Sequence, residues 1–179
     1  MTCIVGFIDK RNNVYIGGDS AGVDSNYSIT DREDSKVFRN GQMIMGYTSS
    51  FRMGQILRFK LKIPKHPKDI SDYEYMCTLF IDAVRECLKS NGYSTINNNE
   101  ELIGVFIVGY KTKLYNIHQS LQVGISRDKY IACGCGREYA LGSLATNQIQ
   151  DPIKLITKAL IIAEKFSAGV RRPFNIIKL

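Results

Sequence analysis

The chain opens on an apolar, β-branched run, residues 2–8, which Asp9, Lys10 and Arg11 interrupt. Asn12-Asn13 supplies a turn signal and residues 14–18 form a second apolar run, so the start reads as a β-hairpin. Residues 20–34 are polar, with Gly22, Asp24, Ser25 and Asn26, and predict a loop or short excursion. Residues 36–39 and 43–48 predict a second hairpin turning at Asn40-Gly41. Helical spacing then takes over. Residues 49–61 carry Phe51, Ile56, Leu57 and Leu61, with Pro64 and Pro67 as the stop. Ser71 and Glu74 stand at capping-box spacing, ahead of a stripe of Tyr73, Met76, Leu79, Phe80, Ala83, Val84, Cys87 and Leu88 that Gly92 ends.

Four more strands are predicted at residues 102–108, 113–118, 121–125 and 130–133. Two helices follow. One starts near Gly136 and carries Tyr139, Ala140 and Leu144. The other has Asp151 as cap, Pro152 at its first position and a stripe of Ile153, Ile156, Leu160, Ile161 and Ala163. Residues 173–179 read as a final edge strand. The order is four strands, two helices, four strands, two helices and one strand. It lacks the strand–helix alternation of a parallel fold and predicts mostly antiparallel sheets flanked by helices. No repeat, low-complexity tract or linker divides residues 1–179, which read as one domain.

Composition narrows the function classes. Hydrophobic residues make up 44% of the 179, enough for a real core. No apolar run approaches the roughly 18–20 residues of a membrane span, and no basic stretch leads into an apolar one as in a signal peptide. The net charge is +7, densest at Lys60, Lys62, Lys65 and Lys68, with Arg171 and Arg172 near the end. No basic helix or aromatic RNA-binding signature accompanies these residues, which argues against nucleic acid. They read as a solvated surface or as a docking face for an acidic partner. Five cysteines, an odd number in a chain too large to need staples, suit a reducing, cytoplasmic setting. Cys133 and Cys135 form C-x-C with no second pair or histidine cluster nearby, so no zinc site or other cofactor is expected. His66 and His118 stand alone and read as surface or strand residues.

Met1-Thr2 carries a chemical possibility. A small residue after the initiator methionine permits its removal, leaving Thr2 with a hydroxyl and a free α-amine. Such an amine, with a pKa of about 8, can take the hydroxyl proton, so a nucleophile arises without histidine. Alone, this dipeptide is an ordinary strand start. It is followed, however, by an ordered set: Thr2-Cys3-Ile4-Val5-Gly6, Tyr15-Ile16-Gly17-Gly18-Asp19-Ser20, Ser35-Lys36-Val37, Met45-Gly46-Tyr47-Thr48-Ser49-Ser50 and Gly134-Cys135-Gly136. This succession resembles the proteasome β-subunit family, most closely its HslV branch. The likeness runs in register over residues 2–61 and resumes over about 130–170.

The resemblance implies a four-layer αββα sandwich of the N-terminal-nucleophile (Ntn) hydrolases and a threonine peptidase working without cofactor. Thr2 would be the nucleophile. Lys36 would stabilise the alkoxide, Asp19 would hold Lys36, and the Ser49 amide would bind the oxyanion. Cys135 takes the place of a serine that supports the amine, a weaker hydrogen-bonding group. Val23, Tyr47 and Phe51 fall where the family lines its specificity pocket. Near the C-terminus, Ala168 and Lys165 occupy the places of a serine and an aspartate, with Ser167 as a possible substitute. The resemblance also implies homo-oligomeric rings, an unfolded polypeptide substrate and an AAA+ unfoldase partner. The substitutions at Cys135 and Ala168 leave open a second reading, a non-catalytic assembly or binding protein on the same scaffold.

Overall fold

A computed structural model describes residues 1–179. Two antiparallel sheets lie face to face with helices outside. The first sheet has the order β12 (Tyr130–Gly134), β1 (Cys3–Ile8), β2 (Val14–Gly18) and β13 (Asn175–Lys178). The second has the order β11 (Val123–Gly124), β10 (Lys113–Ile117), β9 (Phe106–Tyr110), β6 (Met43–Tyr47) and β5 (Val37–Asn40). Helices α4 (Arg137–Thr146) and α5 (Pro152–Phe166) cover the first sheet. Helices α1 (Phe51–Phe59), α2 (Asp72–Tyr75) and α3 (Ile81–Ser90) cover the second. This is the expected four-layer αββα sandwich.

Each sheet is apolar on both faces, which is why its strands read as continuous apolar runs rather than alternating ones. In β1, Cys3 and Val5 face α4 and α5, while Ile4 faces the other sheet. In β6, Met43, Met45 and Tyr47 face the helices and Ile44 faces the first sheet. The layer between the sheets is aliphatic: Ile4, Val14, Ile16, Val37, Ile44, Ile107, Leu114, Ile131 and Cys133. Burial pushes the Cys133 thiol up to about 12, so it serves there as a small apolar side chain.

Several expectations are sharpened or corrected. Of the loop or short excursion expected at residues 20–34, the structure has the excursion, a short hairpin of β3 (Ala21–Val23) with β4 (Ile29–Asp31). The strand expected at 102–108 is Phe106–Tyr110. Leu102 instead ends a small hairpin of β7 (Thr95–Asn97) and β8 (Glu100–Leu102). Residues 121–125 shrink to the two of β11, because Leu121 takes a positive φ of 65° in the turn after His118. The first helix starts at Phe51, capped by Ser50, rather than at residue 49.

The second long helix is capped by Ser71 as its sequence suggests, but a π turn at Met76–Phe80 joins α2 to α3. That turn re-aims the stripe. Tyr75 becomes buried beside Met76, Phe80, Val84 and Leu88, while Tyr73 and Leu79 face solvent. On α5, Leu155 and Ala159 turn inward beside Ile156 and Leu160, and Ile153 points out. On α4, Tyr139 is likewise exposed.

The layer between the sheets leaves no room for collapse. Ile4→Ala should therefore cost about 2–5 kcal/mol, whereas Ile153→Ala should stay within about 0.5 kcal/mol. Urea unfolding of the two variants checks the difference.

Candidate active site

The site lies where the start of β1, the ends of β2 and β6, and the approach to β5 converge. Thr2 begins the central strand pair and is buried. Asp19 follows β2 and is fully buried. Its Oδ1 accepts from the Cys3 amide at 2.9 Å. Its Oδ2 accepts from the Ala21 amide at 2.9 Å and the Arg171 amide at 3.3 Å. Lys36, just before β5, donates from Nζ to both oxygens at 3.0 and 3.1 Å, with only 1% of its surface exposed. Burial lowers the Lys36 pKa below that of an ordinary lysine, and the Asp19 carboxylate opposes that shift.

The β6 strand ends in an unusual turn. The Ser50 amide donates to the Thr48 carbonyl at 2.9 Å, two residues back, and Ser49 between them has φ +73°. Such γ-turns are rare and strained for a residue with a side chain. The turn is held on both sides. The Val105 amide donates to Ser49 Oγ at 3.2 Å, and Ser50 Oγ accepts from the Arg52 and Met53 amides at the start of α1. The Ser49 amide donates to no protein group.

A cleft of about 50 Å³ opens here, lined by Met1, Thr2, Val23, Lys36, Tyr47, Thr48, Ser49, Ser50 and Phe51. Six of the eight site residues expected from sequence thus share one small space. Asp19 lies behind Lys36, and Cys135 lies on the other side of Thr2. The Thr2 nitrogen donates to Cys135 Sγ at 3.2 Å, and that thiol donates to the Thr2 carbonyl at 3.4 Å. Gly134, at φ +95°, lets the chain pass here, because a side chain would fall on the Thr2 carbonyl. Ser167 Oγ donates to Cys135 Sγ at 3.2 Å. Lys165 is exposed over the Phe166 ring and Ala168 is exposed, so neither enters the site.

The aromatic side of the cleft is compact. Tyr47 and Phe51 meet edge-on at 6.0 Å, and Tyr47 is buried, its hydroxyl pushed up to about 12 by burial. Sequence reasoning missed Arg32. Its guanidinium lies 4.0 Å over the Phe51 ring and is held by Asp34 at 2.7 and 2.8 Å. Nothing in the polar stretch around it distinguishes Arg32 from a surface charge; only the β3–β4 hairpin folds it back.

No protein-family model and no curated protein sequence matches the chain. Solved structures do. Thiobacillus denitrificans BPH superposes with a TM-score of 0.78 at 15% identity, covering 99% of this chain and 97% of that one. BPH has also been solved in complex with Epoxomicin. HslV from Trypanosoma brucei matches with a TM-score of 0.69 at 17% identity, over 99% and 98% of the two chains. The Anbu (Gly-1) mutant from Hyphomicrobium sp. strain MC1 matches with a TM-score of 0.68 at 14% identity, over 100% and 81%. The fold is that of the proteasome-like Ntn hydrolases. Within this proteasome-like fold, the cleft lies at the start of the first strand, beside the buried ion pair.

That ion pair sets a stability test. Asp19→Ala leaves the Lys36 ammonium buried without its counter-charge and should cost about 3–5 kcal/mol. Pairing it with Lys36→Met should recover only the share due to the stranded charge in a denaturant double-mutant cycle, because the Cys3, Ala21 and Arg171 amides stay without their acceptor.

Proposed function

We propose that this chain is a threonine peptidase whose nucleophile is Thr2 Oγ once Met1 is removed. The observation that carries the reading is the shared cleft. The Thr2 side chain, the buried Lys36 cation and the unbonded Ser49 amide open onto one small space. With Met1 attached, the Thr2 nitrogen is an amide, and the Thr2 hydroxyl bonds to the Met1 carbonyl. Removing Met1 frees both the amine and the hydroxyl.

In the reaction, the α-amine takes the proton of Thr2 Oγ as the oxygen bonds to the scissile carbonyl carbon. Lys36 stabilises the charge building on Oγ, and the Ser49 N–H stabilises the charge on the carbonyl oxygen. The carbon–nitrogen bond breaks, and the protonated α-amine gives its proton to the departing amine. Water then attacks the Thr2 ester and releases the acyl product. Cys135, steadied by Ser167, holds the Thr2 nitrogen. Val23, Tyr47 and Phe51 would accept an apolar or aromatic side chain of an unfolded polypeptide. Assembly into homo-oligomeric rings served by an AAA+ unfoldase belongs to the same proposal and rests on the fold alone.

A second reading is supported by two features: the thiol at Cys135 is a weak partner for an amine, and Ser49 carries a side chain where a strained turn favours glycine. In that reading the chain is an assembly or binding protein that does not cut.

Intact mass of the native protein, before and after exposure to Epoxomicin, separates the two. The peptidase reading expects a chain lighter by one methionine and an adduct that Thr2→Ala abolishes. A chain free of Met1 that forms no adduct would sink that reading. The pH profile of peptide cleavage gives a further test. Activity should rise as the α-amine loses its proton, around a pKa of about 8. It should fall again as Lys36 loses its proton, below the ordinary lysine range, because burial lowers the folded-state pKa. An activity unchanged through that alkaline range would remove Lys36 from the charge-stabilising role.

A further inference from the structure

A large cavity lies away from the cleft. The cleft sits where β6 ends, at Tyr47 and Thr48. At the other end of the same sheet, the β5–β6 turn at Gly41, the β9–β10 turn at Lys111 and residues 63–70 enclose about 640 Å³. That volume falls within the usual range of binding pockets, about 300–1,000 Å³.

Residues 61–67, between α1 and α2, form neither helix nor strand, yet the segment beyond α1 is rigidly built. His66 Nδ1 meets the Tyr110 hydroxyl at 2.9 Å, and Nε2 donates to the Ile70 carbonyl at 3.1 Å. The His66 ring stacks on Tyr75 at 4.3 Å, and the Tyr75 hydroxyl donates to the Pro64 carbonyl at 2.7 Å. His66 is therefore neither a free surface residue nor a strand residue: it staples this segment onto the second sheet and its helix.

Charge and shape select the occupant. Lys65 and Lys68 are exposed on the rim and take part in no ion pair. Lys111 is committed to Asp72. Asp69 belongs to the segment but does not line the cavity. Ile63, Pro67 and Ile70 add half-buried apolar surface beside the two free ammonium groups. A nucleic acid fits poorly. The His66 and Tyr75 rings stack on each other rather than offering a platform for bases, and the lining has no arginine to grip a phosphate bidentately.

We infer that this groove docks an acidic peptide segment of a partner protein, its carboxylates on Lys65 and Lys68 and an apolar side chain against Ile63, Pro67 and Ile70. This inference stands independently of the peptidase reading. The probe is a fluorescein-labelled decapeptide of alternating glutamate and leucine, read by anisotropy with the full-length chain. Binding is expected to weaken about tenfold or more in the double variant K65E/K68E, and by less than about twofold in K154E/K158E, which makes the same charge change on exposed positions of α5. A glutamine version of the peptide should bind as weakly as the glutamate peptide binds K65E/K68E. Equal losses in the two double variants would reduce the effect to net charge and overturn the proposal. So would no binding to the native chain, or tighter binding of a labelled oligothymidylate of equal charge.

Discussion

Four separate stretches of the chain meet at one carboxylate. Asp19 accepts the amide of Cys3 at the start of β1, of Ala21 at the start of β3 and of Arg171 on the way to β13, and it holds the ammonium of Lys36 before β5. Burying both charges is costly, and a buried ion pair seldom gains much over apolar packing. Three backbone donors, which apolar residues could not satisfy, explain why the carboxylate is placed there. The pair sits where the two sheets come together, so the position of Thr2, the approach to β5 and the return of the C-terminal strand are set by one set of hydrogen bonds. A rearrangement of any of these segments would strand a buried charge.

The other constraint is backbone strain at Ser49. A residue with a side chain at φ +73° costs more than glycine would, and the cost is offset locally by the bond from Val105 and by the cap that Ser50 places on α1. The result leaves one amide facing the cleft without a partner. Ser49 is exposed, so its N–H stays open to solvent or a ligand, and backbone strain of this kind clusters at functional sites. The two features belong together, because the turn that strains Ser49 also leaves its N–H out of the backbone hydrogen bonds.

Much of the framework was legible because its signals are local. Ser71 and Asp151 cap the helices their sequences announce, the second hairpin turns at Gly41-Gln42, one residue beyond the expected Asn40-Gly41, and the terminal residues add an edge strand. The cleft was legible as an ordered set of residues rather than as any one motif, and the structure brings Thr2, Lys36, Ser49, Val23, Tyr47 and Phe51 to one place. What escaped depends on long-range packing. A π turn shifts a helical stripe by one residue without leaving a sequence mark, so Tyr75 was missed and Leu79 was placed inside. The strands of the β3–β4 and β7–β8 hairpins have three residues each, too few to show a period of two. Ser167 reaches Cys135 only because the chain after α5 bends back beside β12, a contact that counting from Gly169 does not reveal.

The proposed use of Thr2 as an N-terminal nucleophile runs against the ordinary behaviour of chain ends, which fray. Here the first strand is central, with β12 on one side and β2 on the other, so the end is braced from both edges. The bracing continues past the last ladder pair. The Gly136 amide donates to the Thr2 carbonyl at 3.4 Å, Cys135 contacts both the nitrogen and the carbonyl, and Asp19 holds the next amide. Thr2 therefore lines the cleft, together with Lys36, from a fixed backbone. In the proposed reaction, ordering already supplied by strand pairing would not have to be supplied again when substrate arrives.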